Sequence, residues 1–266
     1  MILRTQWFAA SLAITAAATM APGAAFAYDE LVVFGDSLSD NGNFYNAIFR
    51  IAPSKPYYEG RFSSGPVAVE VMAGLLGIPL VDQAFGGASS GIDNRYLPGT
   101  GTGLRGQVDS YLTKLSAAGK AADPADLYVL WGGGNDLLDE ITEGRGDAIP
   151  TVIDTTVSNL AGSVSALYQA GARDLLLPLM PDMATSFYGT SGQYATTFLS
   201  QVSASFNDAL RARMAEVAQA SPGLTLRIFD TPAVLQGRSH PDCSQWRQCG
   251  GPLLERRVHR SRHAVR

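Results

Sequence analysis

Short apolar runs alternate with longer segments of helical periodicity along most of the chain, and few architectures accommodate that order. The strand candidates are Leu31–Gly35, Leu127–Trp131, and residues 174–180 and 224–229. The helix candidates are residues 66–76, 104–118, 151–170 and 194–220. This alternation of strands and helices predicts a three-layer α/β/α sandwich with a mainly parallel five-stranded sheet.

The N-terminal residues have the pattern of a secretory signal. Arg4 precedes an apolar run over residues 7–21, and Ala25-Phe26-Ala27 offers small residues at the −3 and −1 positions of a cleavage site. The alternative, a membrane-anchoring helix, is disfavoured because a span needs about 20 apolar residues. We therefore expect residues 1–27 to be a signal peptide. The mature chain, from Tyr28, is then exported to the periplasm or secreted, with no transmembrane segment.

Composition limits the class of protein further. Of the 266 residues, 46% are hydrophobic and 17% are charged, and the formal net charge is −4. These values are typical of a folded globular protein and argue against disorder. The length suits one domain, which we place at residues 28–236. Because the chain as a whole carries no excess of positive charge, nucleic acid is not an expected partner.

The first predicted strand leads directly into the segment Gly35-Asp36-Ser37-Leu38-Ser39-Asp40. In an open parallel sheet, reactive groups lie where the carboxyl ends of strands open into loops. A serine there can expose its hydroxyl to a substrate, and a following helix would direct N–H groups toward it. Two interpretations are open at this point: Ser37 is a nucleophile, or the segment is a helix cap and turn.

Four segments in order favour the nucleophile. Residues 35–43 closely resemble the block that names the GDSL, or SGNH, family of lipases and esterases, in its long form. Residues 60–66 are similar to the family's Gly-Arg-Phe-Ser-Asn-Gly-Pro segment, residues 82–88 to its second block and residues 133–136 to its third. The resemblance implies an SGNH hydrolase-like fold and ester hydrolysis by a serine nucleophile, without a cofactor.

The resemblance also implies roles for three hydrogen-bond donors. Ester cleavage by a serine passes through a tetrahedral oxyanion, which pre-aimed donors stabilise. The donors would be the Ser37 N–H, the Gly87 N–H and the side-chain amide of Asn135. Glycine lets the backbone approach the substrate closely, and asparagine supplies an NH₂ group that aspartate lacks. Gly86 is the alternative to Gly87, because with two consecutive glycines the alignment to the family block can shift by one residue.

Other patterns are assigned no catalytic role. Residues 87–91 fit G-x-S-x-G around Ser89, but no helix start follows, as a nucleophile elbow requires. Residues 101–106 fit a dinucleotide-binding fingerprint, but no strand leads into them. Neither H-E-x-x-H nor a paired histidine-carboxylate cluster occurs, so no metal is implied. Asp36 and Asp136 are expected to order loops rather than transfer protons.

A serine nucleophile needs a base, usually a histidine oriented by a carboxylate. The family places an Asp three residues before a His-Pro in its C-terminal block, but none of the three histidines here has an Asp at that offset. His240 precedes Pro241, and Val258-His259-Arg260-Ser261 is similar to the family's Val-His-Pro-Thr, so both histidines are candidate bases. The alternative is an arginine-rich tail with incidental histidines.

The tail, residues 237–266, differs in composition from the rest, with seven arginines and no lysine. Asp230 and Glu255 are carboxylates that the fold would have to bring to a histidine. Cys243 and Cys249 would form a small disulfide loop in an oxidising compartment, or remain two free thiols. We interpret the change of composition as a shift of coding frame at the start of the tail. A resequenced gene in which no one-base correction restores Asp-x-x-His would contradict that hypothesis.

The expected function is that of an exported carboxylic ester hydrolase that forms an acyl-enzyme on Ser37. The resemblance to long-form members favours lipid esters or short-to-medium acyl esters, including phospholipids, with transient contact at a membrane surface. Transfer of the acyl group to an alcohol other than water uses the same intermediate. The rival hypothesis is a catalytically impaired protein of the same fold that only binds acyl or glycan ligands.

Overall fold

The computed structural model describes residues 28–236, which form five strands and eight α-helices. The strands are β1 (Leu31–Gly35), β2 (Leu80–Asp82), β3 (Leu127–Trp131), β4 (Asp174–Pro178) and β5 (Thr225–Phe229). The longer helices are α2 (Ala68–Leu76), α3 (Leu104–Ala117), α4 (Gly134–Thr142), α5 (Ile149–Ala170) and α7 (Thr196–Ala220). The short helices are α1 (Asn43–Ala47), α6 (Phe187–Thr190) and α8 (Thr231–Leu235).

All neighbouring strands of the sheet are parallel, and their order is β2-β1-β3-β4-β5. The central strand β1 is buried along its whole length. Its alternate side chains point to two separate cores: Val32 and Phe34 pack in the one that contains α3, α5 and α7, and Leu31 and Val33 pack against α2. Helices therefore cover both faces of the sheet, which confirms the predicted three-layer α/β/α sandwich.

Several element bounds differ from the prediction for identifiable reasons. The helix predicted from Pro66 begins at Ala68, because the Glu70 carboxylate accepts the N–H of Val67 at 2.9 Å and makes Val67 the N-cap. Pro66 therefore precedes the helix, and the predicted start at residue 66 is wrong by two residues. The helix predicted from residue 151 begins at Ile149, and Pro150 occupies its first turn. The remaining predicted bounds agree or shift by one or two residues.

Two elements beside the candidate site were not predicted. Strand β2 has only three residues and lies at the edge of the sheet, so its apolar run is too short to stand out. Helix α4 begins at the last of the glycines at 132–134, which indicate a loop rather than a helix start. Within residues 28–236, no helix combines the length and the apolar character needed to cross a bilayer.

Candidate active site

The loops that follow three adjacent strands meet at one edge of the sheet. Strand β1 lies between β2 and β3, and its last residue, Gly35, is in register with the last residue of β3. Beyond β2, the N–H of Phe85 donates to the Gly35 carbonyl at 3.1 Å. The parallel topology thus places Ser37 and Gly87 in neighbouring loops, and Asn135 at the start of the helix that follows β3.

Ser37 lies in a turn that its neighbours close. The Asp36 carbonyl accepts the N–H groups of Ser39 at 3.1 Å and of Asp40 at 3.0 Å. The Asp36 carboxylate accepts the N–H of Leu38 at 3.0 Å. Ser37 is half-buried, and neither its N–H nor its hydroxyl has a hydrogen-bond partner within residues 28–236. Both groups are available to a bound molecule.

The buried carboxylate of Asp40 joins the loop after β1 to the loop after β2. Its Oδ1 accepts the N–H groups of Gly42 at 2.7 Å and Asn43 at 2.6 Å. Its Oδ2 accepts those of Phe44 at 3.0 Å and Gly86 at 2.7 Å. Burial raises the pKa of the Asp40 carboxyl, and the four N–H donors oppose that rise. Sequence patterns miss this role, because the partners of Asp40 are main-chain groups.

The two glycines after β2 have different surroundings. Gly86 donates its N–H to Asp40, and its carbonyl accepts the Asn94 side-chain amide at 3.0 Å. Gly87 has a φ of 81°, and no acceptor in the described range takes its N–H. A Cβ at position 87 would overlap the Tyr96 ring, so both conformation and surroundings require glycine. Buried N–H groups without a partner are rare in folded proteins, which suggests that this one serves a ligand.

Asn135 lies in the first turn of α4, whose N-cap Gly133 has a φ of 104°. Its Nδ2 donates to the Ala88 carbonyl at 2.8 Å, so the amide nitrogen faces the loop that carries Gly87. That nitrogen has two hydrogens, and the second has no acceptor in the part of the chain that the structure describes.

Asp136, the next residue, ties α4 to the same loop. Its carboxylate accepts the N–H of Ser90 at 2.9 Å and the Ser90 hydroxyl at 2.7 Å. Asn159 of α5 donates to that hydroxyl at 3.0 Å. The neighbouring Ser89 donates its hydroxyl to the Asp93 carbonyl at 2.7 Å. Asp136 thereby orders the loop around Gly87.

Two carboxyls at this edge of the sheet have strongly raised pKa values. Burial raises the pKa of Asp36 to about 7, and the charges of Asp136 and Asp40 add to the effect. Burial likewise raises the pKa of Asp82, at the end of β2, to about 7. Near neutral pH each is therefore protonated in a large fraction of molecules, which limits the negative charge at this edge of the sheet.

Gln107 of α3 supports the end of β1. Its Oε1 accepts the N–H of Gly35 at 2.9 Å, and its Nε2 donates to the carbonyls of Gly35 at 2.8 Å and Thr102 at 2.9 Å. Our predictions from sequence did not single out this residue. A signal was present, since Gln107 shares the buried side of α3 with Leu104 and Val108. A polar side chain on an apolar helix face needs buried partners.

A histidine base does not occur among residues 28–236, because all three histidines come later in the sequence. Asp230 caps α8 by accepting the N–H of Ala233 at 3.0 Å, and its other oxygen accepts from Arg211 at 2.8 Å. In the same part of the chain, no three His, Cys, Asp or Glu side chains are grouped to hold a metal ion. The candidates that lie outside the described residues are His240, His259, Glu255, Cys243 and Cys249.

Comparison with known proteins places this site in a family. The family model for GDSL-like lipase/acylhydrolase matches residues 31–247. Phosphatidylcholine-sterol acyltransferase of Aeromonas hydrophila is 30% identical over 213 residues, which cover 77% of this chain and 60% of that protein. Thermolabile hemolysin of Vibrio parahaemolyticus is 31% identical over 218 residues, which cover 78% of this chain and 47% of that protein. Esterase EstA of Pseudomonas aeruginosa is 31% identical over 255 residues, which cover 80% of this chain and 37% of that protein.

The chain thus spans between 37% and 60% of the length of these three relatives. The family match, by contrast, covers most of the chain and includes all three loops at the carboxyl edge of β2, β1 and β3. The chain therefore belongs to the GDSL-like lipase/acylhydrolase family.

Proposed function

We propose that this protein is an exported carboxylic ester hydrolase that cleaves acyl esters through an acyl-enzyme on Ser37. Membership of a lipase/acylhydrolase family and a relative named as an esterase support ester hydrolysis. The observation that carries the proposal is a set of three N–H donors that have no acceptor within residues 28–236 and lie in the segments that follow three adjacent strands. They are the main-chain N–H groups of Ser37 and Gly87 and the second side-chain N–H of Asn135.

The reaction follows from this arrangement. Ser37 Oγ attacks the ester carbonyl carbon, and the carbonyl oxygen becomes an oxyanion that the three donors stabilise. Each donor of this kind contributes about 10²- to 10³-fold in rate. The bond to the alcohol then breaks, and water releases the acid from the acyl-enzyme. Because the Gly86 N–H is held by Asp40, we assign the donor role to Gly87 and not to Gly86.

The base in this proposal is His259 or His240. It takes the proton from Ser37 Oγ and returns it to the departing alcohol. A relative named phosphatidylcholine-sterol acyltransferase supports a variant of the same reaction, in which the hydroxyl of a second alcohol replaces water in the final step. Export of the chain is proposed on the signal-like residues 1–27 alone.

Replacing the nucleophile tests the proposal. We expect Ser37→Ala to lower kcat on p-nitrophenyl butyrate by roughly 10³-fold or more, because the variant lacks the oxygen that attacks the ester in this proposal. Ser89→Ala, in the neighbouring loop, is the matched control and should keep the activity of the unmodified protein. An organophosphonate should label Ser37, as determined by mass spectrometry. Equal rates for Ser37→Ala and the unmodified protein, or a label on another residue, would overturn the proposal.

A second candidate is an impaired protein of the same fold that binds acyl or glycan ligands without turnover. It is favoured by one observation: the Ser37 hydroxyl has no base beside it among the described residues. In that case neither hydrolysis nor organophosphonate labelling would be measurable, whereas a fatty acid or an oligosaccharide would still bind to the purified protein.

A further inference from the structure

Exposed apolar side chains are concentrated at the edge of the sheet that carries Ser37. Within residues 28–236, every exposed large hydrophobic side chain except Val71 and Leu75 of α2 lies in a segment that follows the carboxyl end of a strand. They are Leu38, Phe49, Ile51, Tyr57 and Tyr58 after β1, Ile92 and Tyr96 after β2, Phe187 after β4, and Val234 and Leu235 after β5. Exposed apolar area gathered on one side of a protein marks a surface that contacts a partner or a membrane.

Two of the most exposed of these side chains lie in the segment between α1 and α2. We call residues 48–59 the exposed loop. Phe49 in this loop is 89% exposed and Ile51 is 75% exposed. Further along the loop, the Tyr57 ring lies 6.1 Å from the ring of Phe62, which in turn occupies the space beside Gly86. The exposed loop therefore borders the candidate site.

Phe49 occupies a position at which the backbone conformation favours glycine. It lies just after the C-cap of α1 and has a φ of 57°. Its N–H donates to the Asn46 carbonyl at 3.3 Å. The N–H of Arg50 donates to the Tyr45 carbonyl at 2.8 Å, which completes a Schellman motif. Glycine is the usual residue there, because a side chain destabilises the left-handed conformation. Since the Phe49 ring is almost fully exposed, contacts with the described residues do not offset that cost.

Two cations accompany the apolar residues of the exposed loop. Arg50 and Lys55 are exposed, and neither forms an ion pair with a residue of the described range. Glu59 is the one carboxylate in the loop, so two cations and one anion leave a net charge of +1, whereas the whole chain has −4. The charge of this loop is therefore complementary to anionic lipid headgroups, which attract basic segments to a membrane surface.

The residue types of the exposed loop match the successive depths of a lipid interface. Phenylalanine and isoleucine enter the acyl region, and tyrosine is enriched at the level of the headgroups. Arginine and lysine keep their charges at the headgroups while their apolar stems lie deeper. The other exposed apolar residues follow strands of the same parallel sheet, so they lie at the same edge and one extended surface can contact them together.

We propose that the carboxyl edge of the sheet docks on a phospholipid surface, with Phe49 and Ile51 inserted among the acyl chains and the two cations of the exposed loop at anionic headgroups. Docking goes beyond the proposed function, because it requires no reaction at Ser37. Its consequence for substrate choice rests on that function. Leu38, the neighbour of Ser37, belongs to the same apolar edge, so docking directs the nucleophile toward esters in the lipid surface rather than esters dissolved in water.

Vesicle binding tests the proposal. Co-sedimentation with vesicles of phosphatidylcholine and phosphatidylglycerol is measured in a Ser37→Ala background, so that hydrolysis does not alter the lipid. Phe49→Ala and Ile51→Ala should each weaken binding by about tenfold or more, because each removes a side chain that the acyl region buries. Leu75→Ala is the matched control. Leu75 is 61% exposed near the end of α2 that leads into β2, away from the carboxyl edge, so this variant should bind as the background does.

Charge variants test the headgroup contact separately. Arg50→Gln and Lys55→Gln should each weaken binding to the mixed vesicles by about fivefold. Neither should change binding to vesicles of phosphatidylcholine alone, since these carry no net charge. Equal losses on both kinds of vesicle would contradict the headgroup contact.

Two further variants at position 49 separate docking from folding. Phe49→Gly should raise Tm by about 2–4 °C, because glycine adopts a positive φ readily, and should still bind vesicles about tenfold more weakly. In Phe49→Trp, the additional tryptophan emission should move to shorter wavelengths on vesicles and be quenched by lipids with brominated acyl chains. Leu75→Trp should show neither change.

Two outcomes would overturn the docking surface. One is vesicle binding that Phe49→Ala, Ile51→Ala and Phe49→Gly all leave unchanged. The other is a dimer, observed by sedimentation velocity, that Phe49→Ala dissociates. That result would assign the apolar edge to a second copy of the chain.

Two substrates separate this inference from the proposed function. With Ser37 present, Phe49→Ala should keep kcat/KM on dissolved p-nitrophenyl butyrate, while its rate on phospholipid vesicles should fall by about tenfold. If the unmodified protein hydrolyses no ester but vesicle binding depends on Phe49, the proposed function fails and the docking surface stands. If dissolved esters are hydrolysed but vesicle binding does not depend on Phe49, the docking surface fails and the proposed function stands.

Discussion

Neighbouring residues of the site differ in whether their main-chain N–H groups have acceptors. Gly86 donates to Asp40 at 2.7 Å and Ala88 donates to the Phe85 carbonyl at 3.1 Å, whereas Gly87 between them donates to no described residue. Leaving a buried N–H without an acceptor costs about 1–3 kcal/mol. A ligand oxygen, such as the oxyanion of the proposed reaction, would supply the missing acceptor.

Substitution of Gly87 tests this role directly. Gly87→Ala adds a Cβ that would overlap Tyr96 and lie 2.9 Å from Asn94 Oδ1, at a φ of 81°. We expect kcat/KM to fall by about 10²-fold as the N–H is displaced, with a loss of about 1–2 kcal/mol in unfolding free energy. Gly99→Ala is the control, since Gly99 has a φ of 74° with open space around it. It should lose the stability that a positive φ costs an alanine, and no activity.

The sequence identifies Ser37, Gly87 and Asn135 as candidates because each falls in a short motif next to a strand or helix. It cannot choose between Gly86 and Gly87. That choice depends on Asp40, which is 46 residues away from Gly86 in the chain and acts through its carboxylate on main-chain N–H groups. Contacts of this kind are set by how the loops pack, and no local pattern of residue types encodes them.

At the level of elements, helix α3 supports the strand that leads to Ser37, the proposed nucleophile. Gln107 bonds both main-chain groups of Gly35, across 72 residues of sequence. The Gly35 carbonyl also accepts the N–H of Phe85. The N–H of Gly35, by contrast, donates to the side chain of Gln107. The position of Ser37, two residues further on, therefore depends on a helix as well as on the sheet.

Removing this link should reduce catalysis more than substrate binding. Gln107→Met keeps the length of the side chain but leaves the Gly35 N–H without its acceptor, at a cost of about 1–3 kcal/mol. We expect kcat to fall about tenfold with KM nearly unchanged, as measured in steady-state assays. Gln201→Met, at an exposed position of α7, is the matched control.

A second variant distinguishes positioning from general loss of stability. In Gln107→Glu, a protonated carboxyl can still accept from one Gly35 group and donate to the other. Its kcat relative to the unmodified protein should therefore be higher at pH 5 than at pH 8. A ratio that does not change with pH would contradict a positioning role.

Elements were predicted best where an apolar run is long or continuous. Strands β1 and β3 have the predicted bounds because all or nearly all of their residues are buried, which excludes polar interruptions. Strand β2 was missed because three partly buried residues at a sheet edge carry too little pattern. Helix α4, which holds Asn135, was missed because its helical start depends on a left-handed Gly133, and glycine alone indicates a turn equally well.

Across the molecule, four buried or partly buried aspartic acids lie near the carboxyl edge of the sheet, beside the candidate site. Burial raises the pKa of Asp36 and Asp82 to about 7, and burial also raises those of Asp40 and Asp136. A parallel sheet brings these residues together because its strands all end at the same edge. The topology that brings the loops of Ser37 and Gly87 to one edge of the sheet therefore also brings together carboxyls whose pKa values are raised.

This arrangement predicts how stability depends on pH. An aspartic acid in an unfolded chain has a pKa of about 3.9, so between that value and about 7 the folded protein binds more protons than the unfolded one. The favourable contribution is fully present below about pH 4 and is lost as pH rises through about 7. We expect Tm to be roughly 5–10 °C lower at pH 8 than at pH 5.

Asp36→Asn removes one of these titrating carboxyls and so tests its share of the pH dependence. The side-chain amide oxygen of this variant can still accept the N–H of Leu38, the hydrogen bond that the carboxylate makes at 3.0 Å, so the turn should persist. Because the amide has no charge to desolvate at high pH, the difference in Tm between pH 5 and pH 8 should shrink by roughly half. Asp154→Asn, at an exposed position of α5, should keep the full difference. If calorimetry showed Tm rising between pH 5 and pH 8, or an undiminished fall in Asp36→Asn, burial of Asp36 would not be the source of the pH dependence.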